Sequence, residues 1–239
     1  MDEFIRGFSY FFSGFGFIIK PGIRRYVLIP LCINMVLFTI AIFFALNQVQ
    51  DFINTLSGWW QWLEWLLWPF FVLVTLVIVF FSFSIIANLI AAPFNGLLAE
   101  TVESYLEDGT VELPKRSLTN EIITSIGSEL SKLLYFIVWA IPLLLLMFVP
   151  GLQLLWVVFG AWMLSLEYLD FPMANHGMTF SQERNLIKQK RLLALGFGSA
   201  VMTMALIPVL NFIVMPVAVC AATKLWFTEY KIIDLNQNS

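Results

Sequence analysis

Three basic side chains, Lys20, Arg24 and Arg25, lie within six residues of one another, immediately before a long apolar run. An arginine guanidinium presents its N–H donors as a planar fork that can bind two oxygens of a tetrahedral oxyanion. The chain as a whole has a net charge of −3, so this positively charged cluster is opposite in sign to the protein. Its residue types therefore indicate the binding of a small oxyanion, and the net charge provides no general attraction to nucleic acid.

The backbone around these side chains adds further donors. Pro21 favours the first position of a helix, because its missing N–H would have no acceptor there. In a helix that starts at Pro21, the N–H groups of Gly22, Ile23 and Arg24 would have no intrahelical acceptor and would lie at the positive end of the helix dipole. We therefore predict an anion-binding site formed by Gly22, Ile23, Arg24 and Arg25.

A site of this kind would favour sulfate over phosphate. Sulfate only accepts hydrogen bonds at neutral pH, whereas phosphate keeps a hydroxyl that would find no acceptor among amides and arginines. The alternative is that Lys20, Arg24 and Arg25 fix the membrane topology and contact anionic lipid headgroups. Composition and spacing leave both interpretations open.

Several other polar residues lie inside the apolar runs or at their ends. Polar groups at membrane depth are costly, and they tend to face a cavity or another helix. They are candidates for lining an ion pathway, with helix packing as the commoner role. These pathway candidates are Asn34, Asn88, Asn95, Glu100 and Glu103. Together with Glu107, the two glutamates could favour release of an anion on their side of the membrane.

The templates for an enzyme are missing from the sequence. The only histidine is His176, and no His-Glu-x-x-His, Gly-x-Ser-x-Gly or nucleotide-binding loop occurs. Cys32 and Cys220 lack the spacing of a metal or redox site. We expect no catalytic residue, metal or cofactor, and we expect His176 to hydrogen-bond with Asp170 or Glu167.

The amino-acid composition indicates whether this chain folds in water or in a membrane. Of its 239 residues, 60% are hydrophobic and only 12% charged, where soluble domains have about 25% charged residues. With a mean hydropathy of +0.85, the chain has more apolar residues than the interior of one soluble domain could bury. We therefore predict an all-α integral membrane protein in contact with the lipid bilayer.

Four stretches lack Asp, Glu, Lys and Arg, and each exceeds the roughly 20 residues of a transmembrane helix. They are residues 26–50, 65–99, 133–166 and 192–223. The polar segment 51–64 has no basic residue, whereas every other polar segment does. Four simple crossings would place the basic segment 167–191 outside, against the positive-inside rule. Two of the runs are therefore predicted not to cross.

Proline and glycine interrupt the third and fourth runs. Pro142 and Pro150-Gly151 lie in the third, and Pro208, Asn211 and Pro216 in the fourth. Two arms of about 15 residues would reach roughly 22 Å into a hydrocarbon core of about 30 Å and then return. We predict two membrane-inserted helical hairpins, at 133–166 and 192–223, and two spans, at 26–50 and 65–99, with four simple spans as the alternative.

The remaining segments complete a single membrane domain over residues 1–239. Apolar residues at helical spacing, Phe4, Phe8, Phe11, Phe15 and Ile18, predict an interfacial helix within residues 1–25, or a helix packed on its neighbours. Five tryptophans between 59 and 68 mark one membrane boundary. Residues 100–132 form a cytoplasmic helical segment, and both termini are expected in the cytoplasm.

Three longer motifs resemble one known family. They are Pro-Gly-Ile-Arg-Arg-Tyr-Val-Leu-Ile-Pro-Leu at 21–31, Ala-Ala-Pro-Phe-Asn-Gly-Leu-Leu-Ala-Glu at 91–100, and Ile-Pro-Val-Leu-Asn-Phe-Ile-Val-Met-Pro-Val-Ala-Val-Cys at 207–220. In this order they are similar to the CysZ family of bacterial sulfate permeases. One departure is Ala221, where relatives tend to have glycine.

The resemblance implies an inner-membrane permease that admits sulfate to the cytoplasm for cysteine synthesis without an ATPase subunit. It also implies a homo-oligomer, dimeric or higher, with membrane-inserted hairpins, and a sulfate-binding element at Gly22, Ile23 and Arg24 with Arg25 adjacent. A membrane scaffold or accessory subunit, whose basic cluster sets topology and lipid contact, is the alternative function.

Overall fold

The computed structural model describes residues 1–55, 64–108, 118–146, 148–149 and 151–238. Side chains are described at these positions apart from 34, 50, 52–55, 64–67, 76, 78–93, 108, 118–129, 208, 209, 212 and 235–238. The predicted tryptophan-rich loop lies largely outside the described residues. Every regular element within them is helical, which confirms the predicted all-α class.

The helices follow one another in the order predicted by the apolar runs and their breaks. They are α1 (Asp2–Ile18), α2 (Arg24–Thr55), α3 (Glu64–Asp108), α4 (Leu118–Leu146), α5 (Leu154–Asn175), α6 (Phe180–Ile187), α7 (Arg191–Ala205), α8 (Pro208–Leu225) and α9 (Lys231–Asn238). A 3₁₀ turn (Lys188–Lys190) precedes α7, and a π-helical turn (Trp226–Tyr230) joins α8 to α9.

Two described helices are long and apolar enough to cross a membrane, judged by length and composition. One is Arg24–Val49 within α2, which coincides with the predicted first span. The other is α5, which begins inside the third apolar run and continues to Asn175. The described chain therefore contains helices that can span a bilayer, as an integral membrane protein requires.

The chain divides into two compact units. One comprises Leu28–Ala92, and the other joins Met1–Val27 to Pro93–Ser239. In the Leu28–Ala92 unit, large apolar side chains are exposed along the described part of α2, among them Met35, Phe43 and Phe44. Exposed apolar surface on this scale is the surface that a lipid solvent requires.

The core of the other unit forms where α1 packs against α7 and α8. Phe11 and Phe197 are fully buried there, and a Cβ atom at Gly7 would collide with the carbonyl oxygen of Leu193. Reciprocally, a Cβ at Gly196 would collide with the carbonyl oxygen of Phe4. Glycine on both helices thus allows their backbones to touch, and α1 buries the centre of its aromatic stripe against protein.

Helices α4 and α5 lie antiparallel to each other. The Trp156 indole N–H donates to the Leu143 carbonyl oxygen at 3.0 Å, and the rings of Phe136 and Phe159 stack at 5.7 Å. Between the two helices, Gly151 has a φ of 89°, a backbone conformation that glycine adopts without strain. A second break separates α7 from α8, where Pro208 occupies the first turn of α8.

Candidate anion site and its neighbouring ionic cluster

The turn between α1 and α2 brings the predicted anion-site residues together. Gly22 reverses the chain with a φ of 90°. The carbonyl oxygen of Lys20 then accepts hydrogen bonds from the N–H groups of Ile23, at 3.2 Å, and Arg24, at 3.1 Å. Helix α2 begins at Arg24 rather than at Pro21.

This geometry corrects the predicted donor set. Two of the three backbone amides expected to face an anion, those of Ile23 and Arg24, already have an acceptor within the turn. The reason is the positive φ of Gly22, which folds the chain back onto Lys20 before the helix starts. Within the described part of the chain, the Gly22 N–H donates no backbone hydrogen bond, so it is the one amide of the three that the turn itself does not use.

Ile23 serves a different purpose from the one predicted. Its side chain is fully buried in the core of the larger unit. Burying an isoleucine side chain contributes about 1.5–3 kcal/mol relative to leaving it exposed. Ile23 therefore anchors the turn through packing, while its neighbours Arg24 and Arg25 remain exposed.

The two arginines keep their positive charge unneutralised. No carboxylate of the described residues lies within 4.0 Å of either guanidinium. The Arg25 guanidinium carbon lies 4.9 Å from the centre of the Tyr26 ring, which holds the side chain beside the start of α2 without cancelling its charge. Arg24 and Arg25 therefore present two free guanidinium groups next to the Gly22 amide.

Four other basic residues of the same unit, Arg6, Lys132, Lys190 and Lys231, are paired with acids. Glu229 in the π-helical turn accepts hydrogen bonds from Lys190 at 2.7 Å and from Arg6 at 3.2 Å. Lys132 is buried and contacts Asp170 at 3.0 Å. These pairs stabilise the helix assembly, and their charges are balanced locally. Arg24 and Arg25 have no such acid partner among the described residues.

A second ionic cluster links α3, α5 and α9. Nε2 of His176 lies 2.9 Å from Oε1 of Glu103, and the ammonium of Lys231 donates to the same oxygen at 2.9 Å. Lys231 also donates to Glu107 at 2.5 Å. Burial alone would raise the pKa of Glu103, but the hydrogen bonds from His176 and Lys231 outweigh it and lower that pKa.

The cluster corrects two expectations. His176 pairs with Glu103 and not with Asp170 or Glu167, because Lys132 occupies both of those acids. The glutamates predicted to favour anion release are not free either. Glu103 and Glu107 share Lys231, which neutralises one of their two negative charges.

The remaining pathway candidates are dispersed. Asn95 is buried, with 6% of its surface exposed, and its side-chain nitrogen has no hydrogen-bond partner among the described residues. Glu100 is half-buried. The side chains of Asn34 and Asn88 lie outside the described residues. The structure therefore brings Gly22, Ile23, Arg24 and Arg25 into one turn, and it places Asn95 and Glu100 on α3.

The aromatic partner of Lys20 was not predicted from the sequence. The Lys20 ammonium lies 3.6 Å from the centre of the Tyr105 ring and 5.5 Å from that of Phe17. The two rings meet edge to face at 6.1 Å. No local signal connects Lys20 with a tyrosine on α3, because the contact depends on the tertiary packing of α1 against that helix.

A cavity of about 380 Å³ opens beside His176. Its polar lining includes Gln182, Asn185, Gln189 and Asp234. Within the described part of the chain, no group of three or more His, Cys, Asp or Glu side chains is arranged to hold a metal ion.

Comparison with known proteins adds an independent observation. A protein-family profile described as sulfate transporter CysZ/etoposide-induced protein 2.4 matches residues 10–216. The chain is 42% identical to sulfate transporter CysZ of Pectobacterium atrosepticum, over 96% of this chain and 87% of the relative. It is 39% identical to the protein of the same name from Pseudomonas aeruginosa, covering 94% and 96%. The corresponding Vibrio atlanticus protein is 40% identical, covering 94% and 93%.

Proposed function

The chain belongs to the family of sulfate transporter CysZ and etoposide-induced protein 2.4, and we propose that it carries sulfate across the bacterial inner membrane into the cytoplasm. Transport is passive or coupled to an ion gradient and needs no ATPase, and the imported sulfate supplies cysteine synthesis. Similarity to named sulfate transporters over nearly the whole chain supports this function.

The observation that carries the proposal is the unneutralised pair Arg24 and Arg25 at the start of a long apolar helix. Their guanidinium forks bind sulfate oxygens, and the free Gly22 N–H adds one backbone donor. Ile23 keeps the turn in place through its buried side chain. All of these groups donate, which suits an ion that only accepts hydrogen bonds.

The proposed membrane arrangement follows from the charge distribution and the helix breaks. Residues 26–50 and 65–99 cross the bilayer. The α4–α5 and α7–α8 pairs enter it from the cytoplasm as hairpins, and α1 lies at the membrane surface. Both termini are cytoplasmic, the protein works as a homo-oligomer, and its role is transport rather than catalysis. Basic residues in every polar segment except 51–64 support this orientation.

Accessibility to an impermeant thiol reagent tests the arrangement. Single cysteines at Phe148 and Asn211, in a background with Cys32 and Cys220 replaced by alanine, place a probe near each hairpin tip. A cysteine at Ser57 serves as the positive control for the outer loop. External labelling at Ser57 alone supports the hairpins, whereas labelling at Phe148 or Asn211 from outside favours four simple spans.

A membrane scaffold or accessory subunit is the second candidate, because exposed arginines beside an apolar helix also suit anionic lipid headgroups. The two functions differ in sulfate uptake by liposomes that contain only this protein. The transporter gives saturable uptake above that of protein-free liposomes, and an imposed proton or sodium gradient shows whether an ion is coupled. The scaffold gives no uptake from correctly folded protein.

A further inference from the structure

We propose that Lys20, held in an aromatic clamp formed by Tyr105 and Phe17, supplies a long-range positive charge to the anion-binding turn and that Tyr105 positions it. This inference rests on the proposed sulfate function and extends it to two residues outside the arginine pair. The supporting geometry is the 3.6 Å separation between the Lys20 ammonium and the centre of the Tyr105 ring.

The type of group that contacts the Lys20 ammonium determines whether its positive charge is neutralised. A carboxylate would hold Lys20 but cancel its charge, as Glu229 does for Lys190. An aromatic face attracts the ammonium through its quadrupole and leaves the full positive charge in place. No carboxylate of the described residues lies within 4.0 Å of the Lys20 ammonium. The clamp thus fixes the cation without neutralising it.

Lys20 also stabilises the turn through its backbone carbonyl group. The Lys20 carbonyl accepts the Ile23 and Arg24 N–H groups, so a clamp on the Lys20 side chain restrains the start of α2. Tyr105 is on α3, and its ring also packs edge to face on Phe17 of α1. The clamp therefore ties α1, α3 and the anion-binding turn together at one point.

The electrostatic role predicts a specific pattern of variants. Lys20→Met removes the charge and weakens sulfate affinity by at least about fourfold at low ionic strength, the effect that a unit charge on the order of 10 Å from a divalent anion has even at the dielectric constant of bulk water. The difference shrinks in high salt because the interaction is screened. Lys20→Arg keeps the charge and the ring contact, so its affinity stays near that of the unmodified protein.

Tyr105 is tested by changing the ring separately from the hydroxyl. Tyr105→Phe keeps an aromatic face and retains affinity, whereas Tyr105→Leu removes the clamp and weakens binding. Lys188→Met is the matched control for net charge. Lys188 lies near Lys190, which meets Glu229 beside Arg6, and Arg6 is about 20 Å along α1 from Lys20.

The experiment is equilibrium binding of radiolabelled sulfate to the purified full chain in detergent at low and high ionic strength, with folding checked by circular dichroism. We expect weaker, less salt-dependent binding for Lys20→Met, weaker binding for Tyr105→Leu, and unchanged binding for Lys20→Arg, Tyr105→Phe and Lys188→Met. It is overturned if folded Lys20→Met binds as the unmodified protein does, or no differently from Lys188→Met. If the Arg24→Ala, Arg25→Ala variant loses binding while Lys20→Met does not, the role of Lys20 is refuted but the proposed function is not. If the unmodified protein binds no sulfate, the proposed function is refuted as well.

Discussion

Nε2 of His176 lies 2.9 Å from Oε1 and 3.0 Å from Oε2 of Glu103, although the two residues are 73 positions apart in the chain. The contact joins the C-terminal end of α5 to α3. Lys231 donates to the same carboxylate, so one buried glutamate holds a histidine and a lysine from two other elements. Glu103 therefore has a structural role, since it connects α3 to the end of α5 and to α9.

Replacing Glu103 by glutamine tests that link. The amide keeps the shape but loses the negative charge, and it leaves Lys231 and His176 with a weaker acceptor. We expect a loss of about 1–3 kcal/mol in stability, because hydrogen bonds to charged groups contribute about that much. Thermal unfolding in detergent measures it as a lower Tm, and Lys188→Met serves as the surface control. An unchanged Tm for Glu103→Gln would contradict the structural role.

Acid should weaken the same region. Hydrogen bonds from His176 and Lys231 outweigh the burial that would raise the pKa of Glu103 and hold it below the ordinary value of 4.5. Lys190 and Tyr10 do the same for Glu229. A lowered carboxyl pKa stabilises the fold above pH 4.5, and this contribution is lost as pH falls through the lower, folded-state pKa.

The measurement is Tm as a function of pH between about 7 and 3. The unmodified protein should lose stability below pH 4.5, and Glu103→Gln should lose less over that interval because only the Glu229 contribution remains. Parallel curves for the two proteins would show that Glu103 does not titrate as argued.

The buried pair between α4 and α5 gives a larger effect. Lys132 and Asp170 lie 3.0 Å apart, and their side chains are 5% and 8% exposed. Lys132→Met removes the buried cation that contacts the Asp170 carboxylate and should cost about 3–5 kcal/mol. Lys132→Met combined with Asp170→Leu should recover much of this stability, since the carboxylate is removed together with its cation. Tm values of the three proteins test it, and a double variant less stable than the single one contradicts it.

Two glycines of α1 provide an internal control for helix packing. A Cβ atom at Gly14 would collide with the Val217 carbonyl oxygen of α8, whereas one at Gly16 would meet nothing within 4 Å. Gly14→Ala should therefore destabilise the protein by about 1–3 kcal/mol, as overpacking does. Gly16→Ala should be neutral or stabilise it by about 0.5–1 kcal/mol through helix propensity. Equal Tm shifts for both variants would argue against close contact of α1 with α8.

The helices were predictable from sequence because their causes are local. Apolar runs marked them, and Pro208 and Gly151 coincide with breaks, whereas Pro142 and Pro216, also predicted to interrupt the runs, lie inside α4 and α8. The candidate anion-site residues could also be proposed from local sequence, because Gly22, Ile23, Arg24 and Arg25 are neighbours in the chain. The true start of α2 was not, since it depends on the φ that Gly22 adopts in the folded turn.

Long-range partners could not be predicted in this way. His176 had several acids within reach by sequence, and its choice of Glu103 depends on Lys132 occupying Asp170 and Glu167. The clamp on Lys20 likewise depends on α3 passing the end of α1. Such choices follow from which helices pack together, and a single sequence contains no direct record of that packing.

We propose that Arg24 and Arg25 bind the sulfate that this protein transports. The most direct measurement is radiolabelled sulfate uptake into liposomes that contain the unmodified protein, Arg24→Ala with Arg25→Ala, or Arg24→Lys with Arg25→Lys, at equal amounts of folded, equally oriented protein. We expect at least about a tenfold loss of uptake for the alanine pair and a clear loss for the lysine pair, which keeps the charge but not the planar guanidinium fork. Uptake by both variants at the level of the unmodified protein would contradict it and assign the arginines to lipid contact.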